Sequence, residues 1–96
     1  MIDYSKGLAK LLDMFSRSPE VVENIRLVGE TLIPLVEADV AAGKTLLSRS
    51  NWLVGYGKDV LVKMHIQLFL NGTWEISFLQ PNGNWHGITL DPGDYT

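Results

Sequence analysis

Residues 59–90 read DVLVKMHIQLFLNGTWEISFLQPNGNWHGITL and predict three consecutive antiparallel strands. The first strand is predicted from a period of two between Val60 and Leu70, where every even-numbered position is apolar. Two shorter alternating runs follow it, and an Asn-Gly pair lies before each of them, which is the strongest short signal for a hairpin turn. The pattern therefore indicates a meander with one buried face.

Loop length determines the predicted register, because residues paired across a hairpin point to the same face of the sheet. A two-residue loop would place the apolar sets of the first two strands on opposite faces, so we predict a three-residue loop, Asn71-Gly72-Thr73. A second loop of odd length is predicted at Pro81-Asn82-Gly83. The predicted pairs are Leu70 with Trp74, Leu68 with Ile76, Ile66 with Phe78, Phe78 with His86, Ile76 with Ile88, and Trp74 with Leu90.

This register sends Trp74 towards the buried face and Trp85 away from it. On the outward face it predicts three neighbour pairs: His65 beside Leu79, Leu79 beside Trp85, and Phe69 beside Glu75. An apolar strip that contains a tryptophan is therefore expected on the side of the sheet opposite the buried face.

Length and composition predict a single domain over residues 1–96, with a helical half at 1–50, a sheet half at 51–92 and a short tail at 93–96. The hydrophobic fraction of 46% is too high for a disordered chain, and the sequence has no apolar run near the ~20 residues of a membrane span. With no cysteine and no basic-then-apolar start, we expect a cytoplasmic protein that does not bind membranes.

The charge pattern argues against nucleic-acid binding. The net charge is −3, and after position 50 the only basic residues are Lys58 and Lys63, whereas phosphate binding needs several clustered cations. Only six of the 46 residues from Asn51 onward are charged. A sheet so poor in charge is expected to associate with another protein or with itself.

Two helices are predicted before the sheet. Asp3 is a suitable N-cap for a helix from Tyr4 to Ser16, and Ser18-Pro19-Glu20 is a strong start for a second helix. Pro34 lies inside the second helix and predicts a kink near Ile33 or two shorter helices. The apolar stripe of this helix is predicted at Val21, Ile25, Val28, Leu32 and Leu35, and it continues through Asp39 and Ala42 to Leu46.

The stripe is interpreted as packing on the sheet, with a self-associating helical stem as the alternative. Residues 51–58 could add a fourth, edge strand that is joined to the long strand by a turn at Gly57-Lys58. The tail should fray unless Tyr95 docks onto the domain. The predicted fold class is α+β, with two helices packed on one face of a three- or four-stranded antiparallel meander.

The sequence predicts no catalytic site, metal site or cofactor. His65 and His86 are the only histidines, and the register places them on opposite faces of the sheet. There is no cysteine nucleophile, no zinc-ligand spacing, and no grouping of serine, histidine and acid that the strand pairing would assemble.

The outward strip is the candidate functional surface, since exposed apolar patches with aromatic anchors mark partner sites. The predicted partner-binding residues are Trp85, Leu79, His65, Phe69 and Trp52. We therefore predict a small non-catalytic interaction module that binds another protein or forms a homodimer through the outward face or an edge of the sheet. Covering of the strip by the first helix or by the tail is the structural alternative.

Compact cysteine-free chains are common among accessory and inhibitor proteins of bacteria and their phages, which is an analogy of size and composition. The alternative function is an aromatic platform for a saccharide or a similar ligand, built from Trp85, Trp52 and Tyr56. Polar groups at its rim would come from Gln67, Asn82 or Asn84.

Overall fold

The computed structural model of the chain describes residues 2–16, 19–57, 60–79 and 82–96, with the backbone alone over 53–57 and 60–62. Two helices precede a four-stranded antiparallel sheet of order β1-β2-β3-β4. The elements are α1 (Tyr4–Met14), α2 (Pro19–Ala41), β1 (Ser48–Gly57), β2 (Val60–Phe69), β3 (Trp74–Leu79), β4 (Trp85–Leu90) and a 3₁₀ turn (Pro92–Asp94). Helix α2 packs on β1 and β2, so the predicted α+β class is confirmed.

Helix α1 begins where the sequence predicts it to begin. The carboxylate of Asp3 accepts a hydrogen bond from the Ser5 N–H at 3.1 Å, which caps the helix. The helix ends at Met14 rather than Ser16, because the Phe15 N–H turns back to the Leu12 carbonyl in a tightened last turn.

Helix α2 is a single α-helix that contains Pro34, so the predicted division into two shorter helices is wrong. Proline removes one N–H donor, and the affected acceptor is the carbonyl of Glu30. Both residues are exposed, so water can satisfy that carbonyl without loss of the helix. Ser18, the predicted capping residue, lies outside the described residues.

The buried stripe of α2 differs from the prediction on one flank. Its buried members are Val21, Ile25, Gly29, Leu32, Val36 and Asp39. Leu35 was predicted inside the stripe and is instead exposed, because the helix turns its Gly29–Val36 flank inward. Gly29 explains this orientation: a Cβ there would lie 2.4 Å from Cδ1 of Leu8, so α1 crosses α2 at this glycine.

The first hairpin has the predicted parity but a register shifted by two residues. The observed pairs are Leu68 with Trp74, Ile66 with Ile76, and Met64 with Phe78, so the three predicted pairs are wrong. The three-residue loop is Leu70-Asn71-Gly72, in which Gly72 has a φ of +100°. This type of loop requires a left-handed residue in its last position, and glycine fills that position with little strain.

The second hairpin has the predicted register in full: Phe78 pairs with His86, Ile76 with Ile88, and Trp74 with Leu90. Pro81 of its predicted turn lies outside the described residues. The predicted fourth strand is present at the edge as β1, which begins at Ser48 and pairs with β2 along its whole length. Lys58 of the predicted β1–β2 turn also lies outside the described residues.

The core lies between the helices and the inner face of the sheet. Trp74 is fully buried there, and its indole N–H donates to the Tyr4 carbonyl at 3.2 Å. The Tyr4 hydroxyl in turn donates to the Leu70 carbonyl at 2.8 Å, which ties the start of α1 to the first hairpin. The buried apolar residues are Tyr4, Leu8, Leu11, Val21, Ile25, Leu32, Val36, Met64, Ile66, Leu68, Trp74, Ile76 and Leu90.

The carboxyl-terminal segment docks onto this core. The Tyr95 hydroxyl donates to the Gly72 carbonyl, and Nζ of Lys10 donates to the Asp94 carbonyl at 2.8 Å. Burial raises the pKa of Tyr95. The tail was expected to fray unless Tyr95 docked onto the domain, and this docking is observed. Over the described part of the chain, neither helix is apolar enough along its length to cross a membrane.

Candidate functional site: an aromatic patch on the outer sheet face

Helix α2 packs on β1 and β2, and α1 lies against Trp74 on the same face of the sheet. Strand alternation therefore assigns the remaining side chains to the opposite, outer face. Trp74 is buried among the helices, whereas 52% of Trp85 and 51% of Trp52 remain exposed. The predicted separation of Trp74 from Trp85 is confirmed, and the alternative in which the first helix or the tail covers Trp85 is wrong. Half-exposed indoles on a uniformly paired sheet are the most conspicuous feature of this surface.

The two indoles meet in a cluster that we call the outer patch, defined as Trp52, Lys63, His65, Leu79 and Trp85. The ring centroids of Trp52 and Trp85 are 6.0 Å apart at an interplanar angle of 69°, which is an edge-to-face contact. Trp52 also contacts the His65 ring at 4.6 Å. Nζ of Lys63 lies 4.9 Å from the Trp52 ring centroid, a cation–π contact.

The Trp52–Trp85 contact bridges the two edge strands of the sheet. Their backbones are separated by three strand spacings, about 14 Å in a flat sheet, so both indoles must lean inward over β2 and β3. Ser77 and Gly87 are paired with each other beneath this region and have small or absent side chains. A Cβ at Gly87 would meet nothing closer than 3.9 Å, so the side-chain position of this glycine is open and neither indole lies within 4 Å of it.

Strand pairing places the predicted site residues as follows. Leu79 pairs with Trp85, as predicted, and His65 pairs with Trp52 of the edge strand. His65 faces Ser77 rather than Leu79, so that predicted neighbour pair is wrong because of the two-residue register shift.

Phe69 lies apart from the outer patch. It stands four residues from His65 along β2, or about 13 Å, and its neighbour on β1 is Ser48. The predicted pairing of Phe69 with Glu75 is also wrong, since Glu75 pairs with Gln67. Gln67 and Glu75 form a polar row that separates Phe69 from the indoles.

One residue of this surface was not included among the site residues predicted from the sequence. Lys63 shares the parity of His65, and its Nζ lies 4.9 Å from the Trp52 ring centroid. Parity alone could have identified it.

Two of the three polar side chains proposed for a ligand platform, those of Gln67 and Asn82, have hydrogen-bond partners within the protein. Gln67 Nε2 donates to Ser48 Oγ at 2.7 Å, and Oδ1 of Asn82 accepts the Asn84 N–H at 2.9 Å within the turn. For Tyr56, the described structure is the backbone, which pairs with Leu61 at the end of the β1–β2 hairpin.

The two histidines lie on opposite faces of the sheet, as predicted. His65 belongs to the outer patch, whereas His86 lies on the inner face with its ring 5.2 Å from that of Phe78. The residues that the structure describes contain no cluster of three or more side chains suited to hold a metal ion.

A partly buried ion pair lies at the carboxyl-terminal end of α2. Asp39 is buried, and its carboxylate accepts hydrogen bonds from Arg49 Nε at 2.6 Å and Arg49 Nη2 at 2.9 Å. Nζ of Lys44 lies 3.5 Å from the same carboxylate. These hydrogen bonds from Arg49 hold the pKa of Asp39 below its usual range. Asp39, the polar residue that interrupts the apolar stripe, therefore links α2 to β1 through its hydrogen bonds with Arg49.

This pair predicts a loss of stability in acid. Because the folded-state pKa of Asp39 lies below its unfolded value, the folded chain binds fewer protons, and the stabilisation is complete above about pH 4. It should disappear as the pH falls through the folded value. Urea unfolding at several pH values should show this loss for the wild type and a smaller one for Asp39→Asn. Asp13→Asn, which alters an exposed carboxylate, should behave like the wild type; equal acid profiles for the wild type and Asp39→Asn would contradict the prediction.

Comparison of the chain with protein-family models, curated proteins and solved structures found no match.

Proposed function

We propose that the chain is a small non-catalytic protein-interaction module that uses the outer face or an edge of its sheet to bind another protein or a second copy of itself. The observation that supports this proposal most directly is the pair of half-exposed indoles, Trp52 and Trp85, on the face opposite both helices. Tryptophan is enriched among the residues that contribute most to binding energy at protein interfaces. The geometry therefore favours the outer patch as the main contact.

The patch is also well prepared for binding. Its residues project from four hydrogen-bonded strands, so little backbone order has to be gained when a partner docks. The indoles already restrain each other by their edge-to-face contact. Lys63 adds one cation at the rim of an apolar surface, which favours a partner segment with an apolar anchor and an acidic neighbour.

The saccharide platform remains the alternative function. Sugar rings stack on flat, open aromatic faces, whereas the two indoles stand at 69° to each other and Lys63 lies over the Trp52 ring. Gln67 and Asn82 are already hydrogen-bonded within the protein. These contacts favour a protein partner over a saccharide.

The test compares two leucine substitutions of the same kind. Leu79→Asp places a charge in the outer patch and should weaken capture of the partner at least about tenfold, since it buries an unpaired charge. Leu47→Asp alters a leucine that is 77% exposed and lies outside the patch, and it should leave capture unchanged. Both variants are first checked for native circular dichroism, and capture is quantified with each variant immobilised at equal density.

Equal capture by the two variants would contradict the assignment of the outer patch. A strictly monomeric protein whose tryptophan fluorescence shifts on titration with saccharides, and whose shift Leu79→Asp removes, would favour the platform instead. Because the chain has no cysteine, we further propose a cytoplasmic setting, and its size and composition suit an accessory or inhibitor protein of bacteria or phages.

A further inference from the structure

We propose that strand β4 is a self-association edge, at which two copies pair antiparallel about a two-fold axis and join their sheets into one of eight strands. The inference rests on the proposed function in one respect, that the chain is an interaction module. It adds one partner, a second copy of the chain that pairs at β4, beside the other protein that the outer patch is proposed to bind.

The hydrogen-bond pattern identifies which backbone groups of β4 face outward. The Phe69 N–H donates to the Thr73 carbonyl at 2.8 Å, so these two residues form a hydrogen-bonded pair in the β2–β3 hairpin. Hydrogen-bonded and non-hydrogen-bonded pairs alternate along antiparallel strands. The odd-numbered residues of β3 therefore bond to β2, and its even-numbered residues bond to His86, Ile88 and Leu90 of β4. The N–H and C=O groups of Trp85, Gly87 and Thr89 consequently point away from β3, towards the free edge of the sheet.

Strand β1, at the opposite edge of the sheet, is less available for pairing with another strand. By the same alternation, the Trp52 N–H of β1 points outward, and Oδ1 of Asn51 accepts it at 2.9 Å. Helix α2 also packs mainly against β1. A strand added at β1 would have to displace the Asn51 side chain, so β1 is the less favourable edge.

Strand β4 has none of the usual protections of an edge strand. Its six residues, Trp85–Leu90, include no charged residue and no proline. Natural sheets commonly use charge, proline or a bulge to prevent pairing of exposed edges. The register of β4 with β3 is continuous over all six residues, so no bulge interrupts it.

The strand is also complementary to itself. A two-fold axis at Gly87 would set the two Gly87 residues opposite each other, Trp85 opposite Thr89, and His86 opposite Ile88. All three outward N–H groups of each copy would then meet a carbonyl of the other. Every opposed pair is uncharged, and glycine at the axis permits close approach. The pairing would also bring the two outer patches into one continuous surface.

The first test uses Thr89→Pro against Thr89→Ala. Proline removes an outward N–H without touching the bonds to β3, a position that edge strands tolerate, whereas alanine keeps the N–H. Sedimentation velocity over a range of concentrations should show a wild-type dimer, a dissociation constant raised at least about tenfold for Thr89→Pro, and no change for Thr89→Ala. A wild type that remains monomeric, or equal dimerisation of the two variants, would overturn the proposal.

The second test does not depend on proline. Gly87→Glu and Gly87→Lys should each be monomeric, because like charges would face each other at the axis, and an equimolar mixture should restore the dimer. Failure of the mixture to associate while each variant remains folded would overturn pairing at Gly87.

Leu79→Asp separates this inference from the proposed function. It should keep the dimer while it loses capture of another protein, since Leu79 lies on β3 and not at the edge. If Leu79→Asp dissolves the dimer and Thr89→Pro does not, copies associate through the outer patch, and the assignment of β4 is wrong while the interaction function stands.

Discussion

Replacement of Trp74 by alanine should lower the free energy of unfolding by about 3 to 5 kcal/mol. The indole is fully buried between α1 and the sheet, and alanine would leave a large cavity. The Tyr4 carbonyl would also lose the indole N–H that it accepts at 3.2 Å. Urea unfolding followed by far-ultraviolet circular dichroism measures the change, since near-ultraviolet signals would change with the loss of a tryptophan.

Trp85→Ala is the matched control for this result. The same indole is removed from the same sheet, but Trp85 is half exposed and contacts Trp52 rather than the core. Its removal should cost about 1 kcal/mol, the order of one aromatic pair. If Trp85→Ala destabilises the protein as much as Trp74→Ala, the outer patch is a part of the core and its assignment as a binding surface fails.

Strand parity was predictable from the sequence because it follows from alternation alone. From Met64 onward, the large apolar residues of β2 and β3 lie on the predicted face, although the register of that hairpin is shifted by two residues. A shift of two preserves parity, so the sequence pattern cannot distinguish the two registers. The distinction comes from the turn, in which Gly72 must be the last loop residue to take its positive φ.

The flank of α2 that faces the core was not predictable from periodicity. Val28 and Leu35 make as regular a stripe with Leu32 as Gly29 and Val36 do, and the apolar pair is the natural choice from sequence. The helix instead turns Gly29 towards α1, because Leu8 fits only where no Cβ is present. The ion pair of Asp39 with Arg49 was missed for a similar reason, since it joins residues ten apart through a loop whose path the sequence does not specify.

The outer patch was predictable in part. The parity of the β3–β4 hairpin predicts Trp85 beside Leu79 on the outward face, and this pair is observed. The contact between Trp52 and Trp85 was not predictable, because it depends on two side chains leaning across the full width of the sheet. The direction in which each indole leans depends on the small side chains beneath it, such as that of Ser77. Strand periodicity carries no information about that direction.

Leu32→Ala should lower the free energy of unfolding by about 2 to 5 kcal/mol, whereas Leu35→Ala should change it by about 1 kcal/mol or less. Both leucines lie on α2, three residues apart, and both belong to the stripe predicted from sequence. The structure separates them: Leu32 is 2% exposed against the sheet, and Leu35 is 43% exposed. Alanine is also a slightly better helix former than leucine, which offsets part of the loss at Leu35.

Leu32→Ala and Leu35→Ala together test the orientation of α2. Both replace leucine by alanine in the same helix, so the effects of helix propensity and side-chain size cancel when the two variants are compared. Thermal and urea unfolding of the two variants in parallel give the difference directly. If the helix were rotated towards the predicted heptad flank, Leu35→Ala would cost as much as Leu32→Ala. That result would also remove the reason for Gly29 at the α1–α2 crossing, since Leu8 would then no longer lie against it.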